Sequence, residues 1–378
     1  MKVLFVQKEG GIFGAENYQL KIIPSLLKKG ITIEFLRLYT KYQGGKGGAF
    51  IEKLNSLGVK TYEINIGKYP SFPKLKAIKN IIEEGQYDLV HTHLIHADFY
   101  LSLTKVFFSL PCKWVSTKHG YDNEFTSQYG FDPSKQKLTP YFLISRFAEK
   151  RNDKSYTISH GLRNFFTETG LAKANKMELI HYGFDFPEVT EAWIDNKFRM
   201  FKKQVVIAGR LIKFKGHSKL IEAISESVKK DSEIGLVIVG SGILEEELKQ
   251  QVKMLQIESN VHFTGYSTEV IKYMYNSDLV AVPSISEGFG VVFLEAFNCK
   301  KPVVAFDVPS GNELMIHKKT GYLVPAYDIQ ALGNQIVEIF SDQSEANKVG
   351  ANAYRQLIDY YNLDRMVDET INFYQGVI

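Results

Sequence analysis

Two glutamates, Glu287 and Glu295, flank a glycine turn in the segment Ser286-Glu287-Gly288-Phe289-Gly290-Val291, where an apolar run ends and a helical pattern begins. Backbone N–H groups at the start of a helix have no partner within the helix, and such a terminus attracts anions. Glu287 sits in the turn. Glu295 rides about two turns into the helix, where a carboxylate can accept hydrogen bonds from sugar hydroxyls. The competing reading is a strand-to-helix turn carrying two solvated glutamates.

A second cluster, Gly209-Arg210-Leu211-Ile212-Lys213-Phe214-Lys215-Gly216, follows another apolar run. Arg210 offers a planar fork to phosphate oxygens and Lys215 a point charge, so together they can stabilise the charge that grows on a departing nucleoside diphosphate. Alone, this would also suit a basic surface loop. Gly10-Gly11-Ile12-Phe13-Gly14-Ala15-Glu16 occupies the same place after the first strand, where glycine lets backbone approach a ligand. Neither it nor Gly240-Ser241-Gly242 has the Gly-x-Gly-x-x-Gly spacing, so a dehydrogenase loses its main signature, and Gly240 can serve a ligand or a tight turn. Thr117-Lys118-His119-Gly120 ends a further strand and aims His119 at a ligand, as a hydrogen-bonding partner or a stabiliser of a positive anomeric centre. His91 and His93 lack the partners of a zinc site and read as wall or core. No Asp-x-Asp pair is present to hold a divalent ion on a diphosphate. We therefore expect no metal and no cofactor, with the nucleotide sugar as donor substrate.

These groups need a frame. Short apolar runs alternate twice over with amphipathic stretches, the pattern of βα units and parallel sheets. The expected strands are 3–7, 32–38, 89–92, 114–117, 156–159 and 179–180, then 204–208, 235–239, 262–264, 279–282 and 303–305. The fold class is α/β, with two Rossmann-like domains facing across a deep cleft, since ligands of doubly wound sheets bind beyond the carboxyl ends of the strands. The expected division is an acceptor-side domain over 1–186, a linker over 187–203, a nucleotide-sugar-binding domain over 204–363, and a helix over 364–378 packing back on the first domain.

Composition agrees with a globular chain: 44% of 378 residues are hydrophobic and 23% charged, which excludes disorder. No apolar run reaches the roughly 18 residues of a membrane span, and the opening Met1-Lys2-Val3-Leu4-Phe5-Val6 reads as a strand rather than a signal peptide. A cytoplasmic protein is expected. Cys112 and Cys299 are too few for a disulfide framework. The net charge of +4 conceals an asymmetry, with 26 Lys and Arg against 17 Asp and Glu in residues 1–186 and 20 against 25 afterwards. A basic first half with apolar patches such as Val106-Phe107-Phe108 suits an anionic membrane surface or a phosphate-bearing acceptor as well as an ordinary solvated face. No nucleic-acid partner is expected.

Taken in order, Gly10-Gly11, Asp88-Leu89-Val90-His91-Thr92-His93, Lys118-His119-Gly120, His181-Tyr182-Gly183-Phe184-Asp185, Gly209-Arg210 with Lys215-Gly216, Val239-Gly240-Ser241-Gly242, Val261-His262-Phe263-Thr264-Gly265 and the Glu287/Glu295 element make the chain resemble family 4 of the glycosyltransferases, retaining enzymes of the glycosyltransferase-B fold. The resemblance covers nearly the whole length. It implies that Arg210 and Lys215 bind the donor diphosphate, that Glu295 holds the ribose, and that Glu287, Phe289 and Gly290 hold the transferred sugar. It also implies that His119 lies by the anomeric centre, Gly11 near the phosphates and Tyr266 beside the base. Catalytic roles thus fall to His119, Arg210, Lys215 and Glu287. Donor contacts fall also to Gly209, Gly240, Gly288 and Val291, and acceptor contacts to Phe13, Glu16 and Tyr121. Tyr182 stands where family members often carry asparagine.

The implied reaction transfers a sugar with retention to a hydroxyl of a glycan or lipid-linked acceptor, in surface polysaccharide or glycolipid synthesis. A nucleotide-sugar 2-epimerase and a non-catalytic nucleotide-sugar-binding protein are the other readings. The second is disfavoured because a mere binder need not aim cations at a leaving group.

Overall fold

The computed structural model describes residues 1–8, 11–12, 14–40, 48–285 and 287–378. The expected positions Gly10, Phe13 and Ser286 lie outside the described residues. The first sheet contains β1 (Lys2–Lys8), β2 (Thr32–Tyr39), β3 (Lys60–Asn65), β4 (Leu89–His93), β5 (Lys113–Lys118), β6 (Lys154–Thr157) and β7 (Met177–Leu179). The second contains β8 (Lys203–Ala208), β9 (Ile234–Val239), β10 (Val261–Gly265), β11 (Leu279–Val282), β12 (Val303–Phe306) and β13 (Tyr322–Val324). Their orders are β3-β2-β1-β4-β5-β6-β7 and β10-β9-β8-β11-β12-β13, and neighbouring strands run parallel. The fold is α/β, with two Rossmann-like units.

Central strands are apolar along their length because helices cover both sheet faces, so that Val3 to Val6 and Ile234 to Val239 are all buried. Edge strands do not announce themselves this way. In β3 only Ile64 is buried, and β13 has three residues; neither presents an apolar run to sequence reading.

The compact units comprise residues 1–123, 131–184 and 362–378, and residues 124–130 with 185–361. The helix Leu363–Gln375 belongs to the first unit. It buries Met366, Val367, Thr370, Phe373 and Tyr374, and the Tyr374 hydroxyl lies 2.7 Å from Nδ1 of His91. Among the described residues no helix is long and apolar enough to cross a membrane.

In each sheet the order reverses beside the first strand, between β1 and β4 and between β8 and β11. Loops leaving the carboxyl ends of such a pair part in opposite directions and open a crevice. Gly11, Arg210, Lys215 and Glu287 sit on those loops, while His119, Gly240 and Tyr266 follow the neighbouring strands β5, β9 and β10.

Candidate active site

In the second unit, β8 ends at Ala208, Gly209 turns the chain at φ +151°, and a short 3-10 turn, Lys213–Lys215, leads through Gly216 into the helix His217–Val228. Across the order reversal, β11 ends at Val282 and the chain reaches the helix Val291–Asn298 through Gly290, at φ +87°. The two loops are locked together. Ile285 donates its backbone N–H to Phe214 at 2.8 Å, and Gly216 comes so near that a Cβ on it would stand 2.0 Å from the Pro283 carbonyl oxygen.

This lock joins two of the expected residues. Lys215 Nζ donates to Oε1 of Glu287 at 2.6 Å, with side chains only 15% and 11% exposed, and Ser284 Oγ donates to the same oxygen at 2.7 Å. Arg210 is exposed at the start of the same loop, and its guanidinium has no hydrogen-bonding or ionic partner among the described residues. On this loop Lys215 is paired, while Arg210 and exposed Lys213 have no ionic partner among the described residues and stand open to an anion. Phe289 is buried, its ring 5.9 Å from that of Tyr361. Gly288, Val291 and Glu295 are part-exposed at the start of the helix Val291–Asn298 or in its first turns, where unpaired N–H groups and the helix dipole favour negative charge.

The remaining second-unit glycines have a packing explanation. A Cβ on Gly240, at φ +144°, would meet the Gly209 carbonyl oxygen at 2.0 Å, while Gly240 N–H donates to Gly265 at 2.9 Å and Gly209 N–H to Val239 at 3.0 Å. Tyr266, just beyond β10, is 79% exposed. Among the described residues, buried His217 has no partner for either ring nitrogen, and burial, with the nearby Lys215 charge, pushes it down to about 4.

In the first unit the crevice end of the sheet carries a network of histidines and tyrosines. His119, just past β5, has Nε2 2.9 Å from Nδ1 of His93 and Nδ1 2.5 Å from the Tyr182 hydroxyl. Burial, reinforced by Lys118, pushes His119 down to about 3, so its imidazole is neutral. One N–H and one lone pair are then both engaged, which leaves the ring face and backbone carbonyl for a ligand. Tyr18 stacks on Tyr182 at 5.0 Å and meets the Tyr156 hydroxyl at 2.5 Å. His91, whose Nε2 lies 2.7 Å from Thr117 Oγ1, is buried wall. His93 Nε2 is buried without a partner among the described residues.

Beneath His119, Lys118 is buried between Asp98 and Glu149, with its Nζ 2.6 Å from each. Glu16 is buried on the helix Gly14–Lys28 and accepts a hydrogen bond from Gln7. Gly11 stands at φ +139° between β1 and that helix. Tyr121 is buried with its ring 4.8 Å from Tyr141 and 4.7 Å from Phe165, an aromatic core beneath a loop.

The structure therefore brings Lys215 and Glu287 together on loops of the second unit and places His119 in the first. Sequence reading missed Tyr182, His93, Tyr18 and Ser284 as partners of these groups. Tyr182, His93 and Tyr18 have no spacing signal, because each reaches its partner from another βα unit, whereas Ser284 stands three residues before Glu287 on the same loop.

Comparisons with known proteins agree with this architecture. Residues 12–186 match the model described as Glycosyltransferase Family 4, and residues 191–356 that described as Glycosyl transferases group 1. The chain is 26% identical over 326 residues to the N-acetyl-alpha-D-glucosaminyl L-malate synthase of Bacillus anthracis, covering 84% of this chain and 82% of that one. It is 21% identical over 388 residues to the UDP-Gal:alpha-D-GlcNAc-diphosphoundecaprenol alpha-1,3-galactosyltransferase of Escherichia coli, covering 100% and 97%. The crystal structure of Anabaena HepE in complex with UDP superposes with a TM-score of 0.82 at 22% identity, covering both chains fully.

Proposed function

Starting from a chain that belongs to the family 4-like glycosyltransferases, we propose that it moves a sugar, with retention of anomeric configuration and without a metal ion, from a nucleoside diphosphate sugar to a hydroxyl of a glycan or lipid-linked acceptor. The observation that carries the proposal is the 2.6 Å pair of Lys215 and Glu287, which joins the loops after β8 and β11 at the order reversal of the second sheet. Arg210 and Lys215 meet the diphosphate charge, assisted by the amides around Gly288, Gly290 and Val291. Glu287 positions the sugar, and Glu295 the ribose.

Retention is read as departure and attack on one face of the sugar ring, with the leaving phosphate oxygen taking the acceptor proton. His119 is assigned to the anomeric centre through its carbonyl or ring face, since both ring nitrogens are engaged. Metal independence is supported by the absence of an Asp-x-Asp pair and by cations able to do that work. Uridine donors are the first to try, because the Escherichia coli relative is named for UDP-Gal and the Anabaena structure holds UDP. Work at an anionic membrane face is supported by the basic first half and by that relative's diphosphoundecaprenol acceptor.

The test is a panel of nucleotide sugars scored for protection against thermal unfolding, followed by nucleotide release from the protective donor. One donor should raise the melting temperature, and Lys215→Ala should lower turnover by orders of magnitude. Unchanged turnover in that variant would remove Lys215 from the mechanism.

A further inference from the structure

We infer that an exposed aromatic patch on the first unit, where the helices Phe72–Gly85 and Leu94–Phe107 meet, seats this unit on an anionic lipid bilayer. The Phe72 and Phe107 rings stand 6.0 Å apart, edge to face, and Phe72 also lies 5.3 Å from Phe108. Phe72 nevertheless remains 55% exposed, Phe107 57%, Val106 49% and neighbouring Tyr69 67%. Rings that touch one another and still face solvent make a joined apolar surface rather than scattered hydrophobic residues.

The segments that carry it are basic. Residues 66–82 and 99–112 contain five lysines and no aspartate or glutamate. Lys74 donates to the carbonyls of Ile66 and Tyr69 at 2.7 and 2.9 Å, which fixes the loop carrying Tyr69. Lys79 pairs with Glu83 and Lys105 with Asp153. Lys68 and Lys76 are exposed with no carboxylate partner among the described residues, and Lys76 stands one helical turn beyond Phe72 on the same face.

Aromatic rings at headgroup depth, flanked by lysines that reach lipid phosphates, form an interfacial anchor. A second copy would oppose lysine with lysine. The choice of occupant rests on the membrane-side acceptor of the proposed function; the patch itself does not.

Co-sedimentation of the full chain with vesicles of phosphatidylcholine and phosphatidylglycerol in equal parts, and with pure phosphatidylcholine vesicles, tests this. Binding should require the anionic lipid and weaken with salt. Phe72→Ser with Phe107→Ser, and separately Lys68→Glu with Lys76→Glu, should each lower partitioning by about tenfold or more, with nucleotide-sugar protection unchanged. Wild-type indifference to anionic vesicles, or equal binding by both double variants, would overturn the assignment. So would a wild-type dimer in solution that the Phe72/Phe107 variant abolishes. Vesicle binding without protection by any nucleotide sugar would sink the donor reading and leave this one standing.

Discussion

The Tyr182 hydroxyl lies 2.5 Å from Nδ1 of His119 and is held by a buried ring that stacks on Tyr18. This contact holds the His119 ring in its orientation. Tyr182→Phe keeps the ring and removes the hydroxyl, so kcat should fall between about tenfold and a hundredfold through misplacement of His119. Stability should fall by only about 1 kcal/mol. Steady-state kinetics beside a urea titration separate the two; a large stability loss with unchanged kcat would make Tyr182 a packing residue alone.

Lys215→Ala leaves Glu287, 11% exposed, with Ser284 as its remaining partner among the described residues. The ligand-free protein should therefore lose about 2 kcal/mol, because a largely buried charge without its counter-ion is costly. Removing both, in Lys215→Ala with Glu287→Ala, should cost less than the sum of the single changes. A double-mutant cycle by chemical denaturation reads that coupling.

Buried histidines make the fold acid-sensitive in a definite direction. His217, pushed down to about 4, and His119, down to about 3, stay neutral in the folded chain while the unfolded chain takes up protons below about pH 6.5. The unfolded state then binds more protons, so stability is whole above that value and is lost as pH falls toward 4. For His217 the full loss is about 3 kcal/mol. Denaturation midpoints between pH 7 and 5 should decline in the wild type and decline less in His217→Leu.

Gly216→Ala puts a Cβ 2.0 Å from the Pro283 carbonyl at a backbone φ of +77°. Neither loop can give way without moving Lys215 from Glu287. A loss of more than about 2 kcal/mol is expected, together with a weaker thermal response to the protective donor. An unchanged melting curve would show that the two loops can separate freely.

Activity should persist in a chelator, because Arg210 and Lys215 supply the charge on which the metal-free proposal rests. Complete loss in ethylenediaminetetraacetate, restored by magnesium or manganese, would reject that part of the mechanism.

The alternation of apolar runs and amphipathic stretches carried both sheets, because buried parallel strands such as β1 and β9 are apolar on both faces. It could not reveal β3, a polar edge with one buried residue. Loop chemistry was legible where cations or glycines follow a strand directly, as at Arg210, Lys215 and Gly290. Partnerships were not, since Lys215 and Glu287 stand 72 positions apart and Tyr182 and His119 63 apart. Strand order decides those meetings, and no local pattern encodes it. Tyr121 illustrates the limit: an aromatic in a polar stretch suits sugar stacking and loop core alike, and the fold packs it among Tyr141 and Phe165.

The ammonium of Lys118, shared by Asp98 and Glu149, fastens three separate stretches of chain at one point: the helix after β4, the end of β5 and the close of the helix Pro140–Glu149. Ser155 of β6 joins them through Glu149 at 2.8 Å. His119 is the next residue along from this rivet. Its bearing is inherited from two carboxylates buried in the unit's interior, so variation at Asp98 or Glu149 can retune the first unit from within.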